Sequence, residues 1–138
     1  MAERGAPMMA RFRSRGNKST EDALVRALRA ARLTGWRRHV RLPGSPDLVF
    51  RAERLAVFVD GCFWHGCRRH LRLPTTRPDY WPAKIERNRR RDRRVARELR
   101  SRGWSVLRLW EHQLSGERAA HAANRIERAL AQRRSGFP

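Results

Sequence analysis

Ala23, Leu24, Ala27, Leu28 and Ala31 recur three and four residues apart, the spacing of one helical face. Ser19, three residues before Asp22, supplies an approximate capping box at the start of that helix, and Gly35 predicts its end. Residues 36–42 mix apolar and basic positions and predict a strand with mixed faces, closed by the turn Pro43-Gly-Ser-Pro46. Two apolar runs follow, Asp47-Leu-Val-Phe50 and Leu55-Ala-Val-Phe-Val-Asp60, joined by the short polar link Arg51-Ala-Glu-Arg54. Folded as a hairpin, they pair Phe50 with Leu55 and bring Asp47 opposite Phe58 or Val59.

After a long loop over residues 61–78, a helix is predicted over 79–102, ended by Gly103, with Pro82 tolerated in its first turn. Its apolar face runs through Trp81, Ile85, Val95 and Leu99, and Asn88 and Asp92 interrupt it at the same spacing. A strand over 104–109 and an amphipathic helix over 117–132 complete the chain. The order helix, three strands, helix, strand, helix predicts an α/β fold with helices packed on a sheet. The last strand can lie beside the Leu55–Asp60 strand and so return to the same end. Residues 1–18 carry no periodicity and are expected to form a mobile basic arm, with 19–133 as a single domain.

Charge narrows the partners. The 138 residues carry a formal net charge of +20, and every basic residue except Lys18 and Lys84 is arginine. Such a balance is the electrostatic footprint of a phosphate-backbone partner. No basic helix sets a broad apolar face against its charges, and no run approaches a membrane span, which argues against a membrane role. A monomer in the cytoplasm is the expectation, where thiols stay reduced.

Both cysteines fall in one loop, Cys62-Phe-Trp-His-Gly-Cys-Arg-Arg-His70. Cys62, Cys67 and His70 have the donor types and short spacing of a tetrahedral structural zinc site, and His112, after the last strand, is the best fourth donor. Phe63 and Trp64, displayed between these ligands, suit wedging between base pairs. His65 is left over from the metal set and can face a cleft. A second constellation is acidic. Asp47 stands at the mouth of a buried strand, a poor place for a charge unless it is paired or binds a cation. With Glu21 and the Val59 carbonyl it offers the hard oxygen donors that magnesium takes. Lys84 and Asn88, one turn apart on a helix crowded with arginines, present donors and an acceptor suited to base edges.

The segments Pro43-Gly-Ser-Pro-Asp47, Asp60-Gly-Cys-Phe-Trp-His65, Lys84-Ile-x-x-Asn88-x-x-x-Asp92 and Gly103-Trp…Trp110-Glu-His112 resemble, in order and spacing, the very short patch repair endonucleases. That resemblance implies a core related to the PD-(D/E)xK restriction endonucleases, a mixed sheet flanked by helices with one structural zinc. It implies magnesium-dependent nicking of double-stranded DNA beside a T:G mismatch left by deamination of 5-methylcytosine. Asp47 and the Val59 carbonyl would bind catalytic magnesium, Glu21 would hold water of the metal shell, and His65 would be general acid or base. Phe63 and Trp64 would intercalate, with Met8, Met9 or Phe12 entering from the opposite groove, and Lys84 and Asn88 would read the mismatched bases.

The chain departs from the better-known members at Asp60, where they carry histidine, and in the spacing and final donor of the zinc set. Asp60 is expected to join the magnesium site or to face DNA. The alternatives are a restriction- or defence-associated endonuclease without mismatch specificity, and a zinc-containing DNA-binding module without catalysis.

Overall fold

The computed structural model describes residues 18–61, 80–114 and 116–136. Helix α1 (Lys18–Ala30) leads into β1 (Trp36–Arg38), β2 (Leu48–Phe50) and β3 (Leu55–Asp60). Helix α2 (Tyr80–Ser101) crosses over to β4 (Ser105–Trp110), and a 3-10 turn (Glu111–Leu114) precedes α3 (Arg118–Arg134).

The four strands form one mixed sheet in the order β1-β2-β3-β4. Neighbours β1, β2 and β3 are antiparallel, with Phe50 opposite Leu55 and Leu48 opposite Val57, the register the hairpin pattern predicts. Strand β4 runs parallel to β3, from Leu55 opposite Ser105 to Asp60 opposite Trp110. A parallel pair needs a crossover of a dozen residues or more, and α2 supplies it.

All six residues of β3 are buried, as expected of a strand covered on both faces. Alternation divides them. Leu55, Val57 and Val59 join Leu48, Phe50 and Leu109 beneath Leu24, Leu28, Ile126 and Leu130 of α1 and α3. Ala56 and Phe58 join Val49 on the other face and pack with Leu99 and Val95 of α2. The helices therefore lie on both faces of the sheet. Each fully buried large side chain contributes about 1.5–3 kcal/mol relative to exposure.

The ends of α1 and of β1 differ from the sequence pattern for identifiable reasons. Helix α1 begins at Lys18, ahead of Ser19. It ends before Gly35, because Leu33 N–H bonds Leu28 O at 2.9 Å and Arg32 N–H bonds Arg29 O at 3.0 Å. That is a Schellman closure with Arg32 in the left-handed region at φ 58°, a place glycine usually takes. The same closure ends α2 where predicted, with Gly103 at φ 88° and Trp104 N–H bonding Leu99 O. Strand β1 stops at Arg38, because His39 turns left-handed at φ 56° and breaks the extended run expected through residue 42.

At the end where β3 begins, Arg133 donates to the carbonyls of Glu53 and Gly103, and Arg134 pairs with the Glu53 carboxylate. Asp47, Asp60 and His112 lie at the other end. Among the described residues no helix is long and apolar enough to cross a membrane.

Candidate active site

Asp47 is only 2% exposed. Its N–H donates to Val57 O at 3.0 Å, and its Oδ2 accepts from Val59 N–H at 2.7 Å. The preceding Pro46 has no N–H, so the ladder ends there and the carboxylate takes over as partner for β3. In an extended strand the N–H and C=O of one residue point to the same side, and those of residues two apart point alike. Because Val57 O and Val59 N–H both face Asp47, the Val59 carbonyl faces that side too. Carboxylate and carbonyl thus share one edge of β3, an oxygen-donor pair that fits magnesium, an ion held by one or two carboxylates with water and substrate phosphate.

The turn before Asp47 is held tightly. Gly44 has φ 78°, and a Cβ there would meet Val95 Cγ1 at 2.5 Å and Phe58 Cε2 at 3.3 Å. Only glycine lets this turn lie against α2, and the turn sets where Asp47 enters the sheet.

Glu21 does not stand beside a metal pair as a bare carboxylate. Its Oε1 accepts from Arg38 Nη2 at 2.9 Å and lies 3.6 Å from His39 Nε2, while Arg38 also reaches Asp22 at 4.0 Å. The left-handed turn at His39 brings two consecutive residues of the β1 end onto one acid. Such strain at a non-glycine residue is a mark of functional segments.

Asp60 likewise has a basic partner. Arg108 Nη1 donates to Asp60 Oδ1 at 2.8 Å, and Nη2 lies 3.6 Å from Asp92 Oδ1 on α2. Among the described residues no three His, Cys, Asp or Glu side chains converge as a metal site. Asp47, Glu21 and Asp60 are therefore not one carboxylate nest; arginines take up two of them.

On α2, Lys84 is half-buried and Asn88 is 3% exposed. Glu86 pairs with Arg90 and Arg93, and Glu98 with Arg102. Arg87, Arg91, Arg94, Arg97 and Arg100 make no ion pair among the described residues, so the helix surface stays strongly cationic.

His112 follows two residues after Trp110, the partner of Asp60, at the same sheet end as Gly61, the last described residue before the cysteine loop. Cys62, Phe63, Trp64, His65, Cys67 and His70 lie outside the described residues, as do Met8, Met9 and Phe12. Sequence reasoning missed Arg38, His39 and Arg108. For Arg108 a signal existed: Asp92 on the apolar face of α2 and Asp60 ending a buried strand each demand a cation.

A family model described as DNA mismatch endonuclease Vsr matches residues 2–70. The chain is 43% identical over 116 residues to the type II nicking enzyme V.XorIIP of Xanthomonas oryzae, covering 82% of this chain and 83% of that protein. It is 39% identical over 104 residues to the DNA mismatch endonuclease Vsr of Escherichia coli, covering 71% and 67%. A further match, 56% identical over 69 residues, is to the type II nicking enzyme V.NaeI of Lentzea aerocolonigenes. It spans 50% of this chain and 42% of that protein.

Proposed function

The chain belongs to the Vsr family of DNA mismatch endonucleases, and from that membership we propose that it is a magnesium-dependent DNA endonuclease that nicks one strand beside a T:G mismatch. The observation that carries the chemistry is the buried Asp47 carboxylate sharing one edge of β3 with the Val59 carbonyl. The names of the similar enzymes support nicking, and the family supports double-stranded DNA as substrate. A mixed sheet with Asp47 at the mouth of its central hairpin supports a PD-(D/E)xK-related core. We assign residues 19–133 to a single domain, preceded by a basic arm.

Asp47 and the Val59 carbonyl would hold magnesium, which supplies Lewis-acid stabilisation of phosphate charge and an acidified water. Glu21, oriented by Arg38, positions water for in-line attack on the scissile phosphorus. His65 moves the proton, and the products carry 5′-phosphate and 3′-hydroxyl ends. Phe63 and Trp64 wedge the duplex beside the mismatch, with Met8, Met9 or Phe12 entering from the opposite groove. Lys84 and Asn88 read the bases. Cys62, Cys67, His70 and His112 would hold a structural zinc, which supplies a covalent-like staple rather than chemistry. The cationic face of α2 binds backbone phosphates.

The deciding experiment is nicking of matched labelled duplexes carrying T:G or C:G at one position, with magnesium or with EDTA. Magnesium-dependent nicking of the T:G duplex alone bears out the reading. Cleavage of both moves the protein to a restriction- or defence-associated nuclease. Tight binding with no cleavage of either leaves a DNA-binding module and refutes catalysis.

A further inference from the structure

Arg108 faces Phe58 across the β3–β4 register, on the sheet face covered by α2. Its guanidinium carbon lies 4.3 Å from the Phe58 ring centroid, stacked as a cation on an aromatic face. From that seat it reaches along the neighbouring strand to Asp60 at 2.8 Å and outward to Asp92 at 3.6 Å. A planar fork held by a ring below and a carboxylate at each tip has little rotational freedom left. The Asp60 side chain is 6% exposed and that of Arg108 24%, so this pair is screened far less than the exposed ion pairs on α2.

Adjacent residues of β3 are turned to different tasks. Val59 directs its N–H and carbonyl toward the Asp47 side, and Asp60 sends its carboxylate into the α2 layer. Asp92, at the outer end of the same bridge, lies about two helical turns after Lys84.

Resting on the nuclease reading, we propose that Arg108 is a positioning residue: it clamps the end of β3 to α2 through Asp60 and Asp92 and keeps the Asp60 carboxylate out of magnesium coordination. The metal is then left to Asp47 and the Val59 carbonyl. The same bridge couples the catalytic strand to the helix that carries Lys84 and the cationic face.

The test compares Asp60→Asn, Arg108→Met and the double variant with the parent protein. Magnesium alone is titrated by calorimetry without DNA, and melting is recorded for all four. Asp60→Asn should leave magnesium affinity within about twofold. Arg108→Met should tighten it by about tenfold, because Asp60 loses the cation that draws it into the α2 layer, and the double variant should return to the parent value. The two single losses in melting temperature should together exceed the loss in the double variant, since a shared bond is broken once.

Arg108→Lys keeps the charge but not the two-tipped fork. It should lower kcat by about tenfold while KM stays near the parent value, and it serves if Arg108→Met does not fold. A tenfold loss of magnesium affinity in folded Asp60→Asn would make Asp60 a ligand and overturn the proposal. Additive melting losses with no gain of affinity in Arg108→Met would overturn it as well. The calorimetric and melting arms need no cleavage, so they stay readable if the nuclease reading itself fails.

Discussion

Val59 N–H donates to Asp47 Oδ2 at 2.7 Å across the top of the hairpin, so the acid that opens β2 is bonded to the strand that leads to the cysteine loop. One oxygen of the carboxylate holds the fold, and the carboxylate's charge remains at the edge where the Val59 carbonyl points. The same residue therefore has a structural and a chemical role, and the two can be separated by substitution.

Asp47→Asn keeps an acceptor for Val59 N–H and removes the charge. Nicking should fall by at least about 10²–10³-fold, the effect of deleting one charge-stabilising group from a transition state, with melting and DNA binding little changed. Asp47→Ala also strands the buried Val59 N–H, at a cost of about 1–3 kcal/mol. Turnover and thermal unfolding of the two variants check both roles; nicking undiminished in Asp47→Asn would remove Asp47 from the chemistry.

Gly44→Ala should destabilise the protein by about 1–3 kcal/mol, because the new methyl meets Val95 and Phe58 in a left-handed turn. Denaturant unfolding reads the loss. Since this turn delivers Asp47 into the sheet, activity of the folded fraction should fall as well.

Arg38→Met removes the closer cation on Glu21. The pair is partly exposed, so stability should change by less than about 1 kcal/mol. If Arg38 aims Glu21 at its water, kcat should fall several-fold with DNA affinity nearly unchanged. A weaker Kd at constant kcat would instead make Arg38 a DNA-binding residue.

Arg87, Arg91 and Arg94 lie on one side of α2 at helical spacing, without ion pairs among the described residues. Replacing all three by alanine should flatten the dependence of log K on log salt by about 0.9 for each phosphate no longer neutralised. Matched and mismatched duplexes should be affected alike. An unaltered slope would place the duplex on another surface.

Purified protein should contain about one zinc per chain, and His112→Ala or Cys62→Ser should lose it and melt earlier. Metal analysis beside a melting curve decides this. A zinc-free parent with the same melting temperature as Cys62→Ser would reject the site.

Alternation of apolar and polar positions by itself determined the helices and the hairpin register, because these depend on contacts a few residues apart. The closing of α1 was less legible. A glycine three residues on advertises a helix end, yet Arg32 can adopt the left-handed turn once Leu33 N–H bonds Leu28 O.

The donor types of the cysteine loop pointed to zinc and the Pro-Asp at the hairpin mouth to a hard-cation site, while the nuclease chemistry came from the family resemblance. What only the tertiary structure decided was the fate of the other acids. Glu21 meets Arg38 across 17 residues and Asp60 meets Arg108 across 48, by strand pairing and layer packing. In a chain with arginine at almost every polar turn, nothing local says which guanidinium will neutralise which carboxylate. That choice follows from the parallel register of β3 with β4, which seats Arg108 over Phe58 and within reach of Asp60.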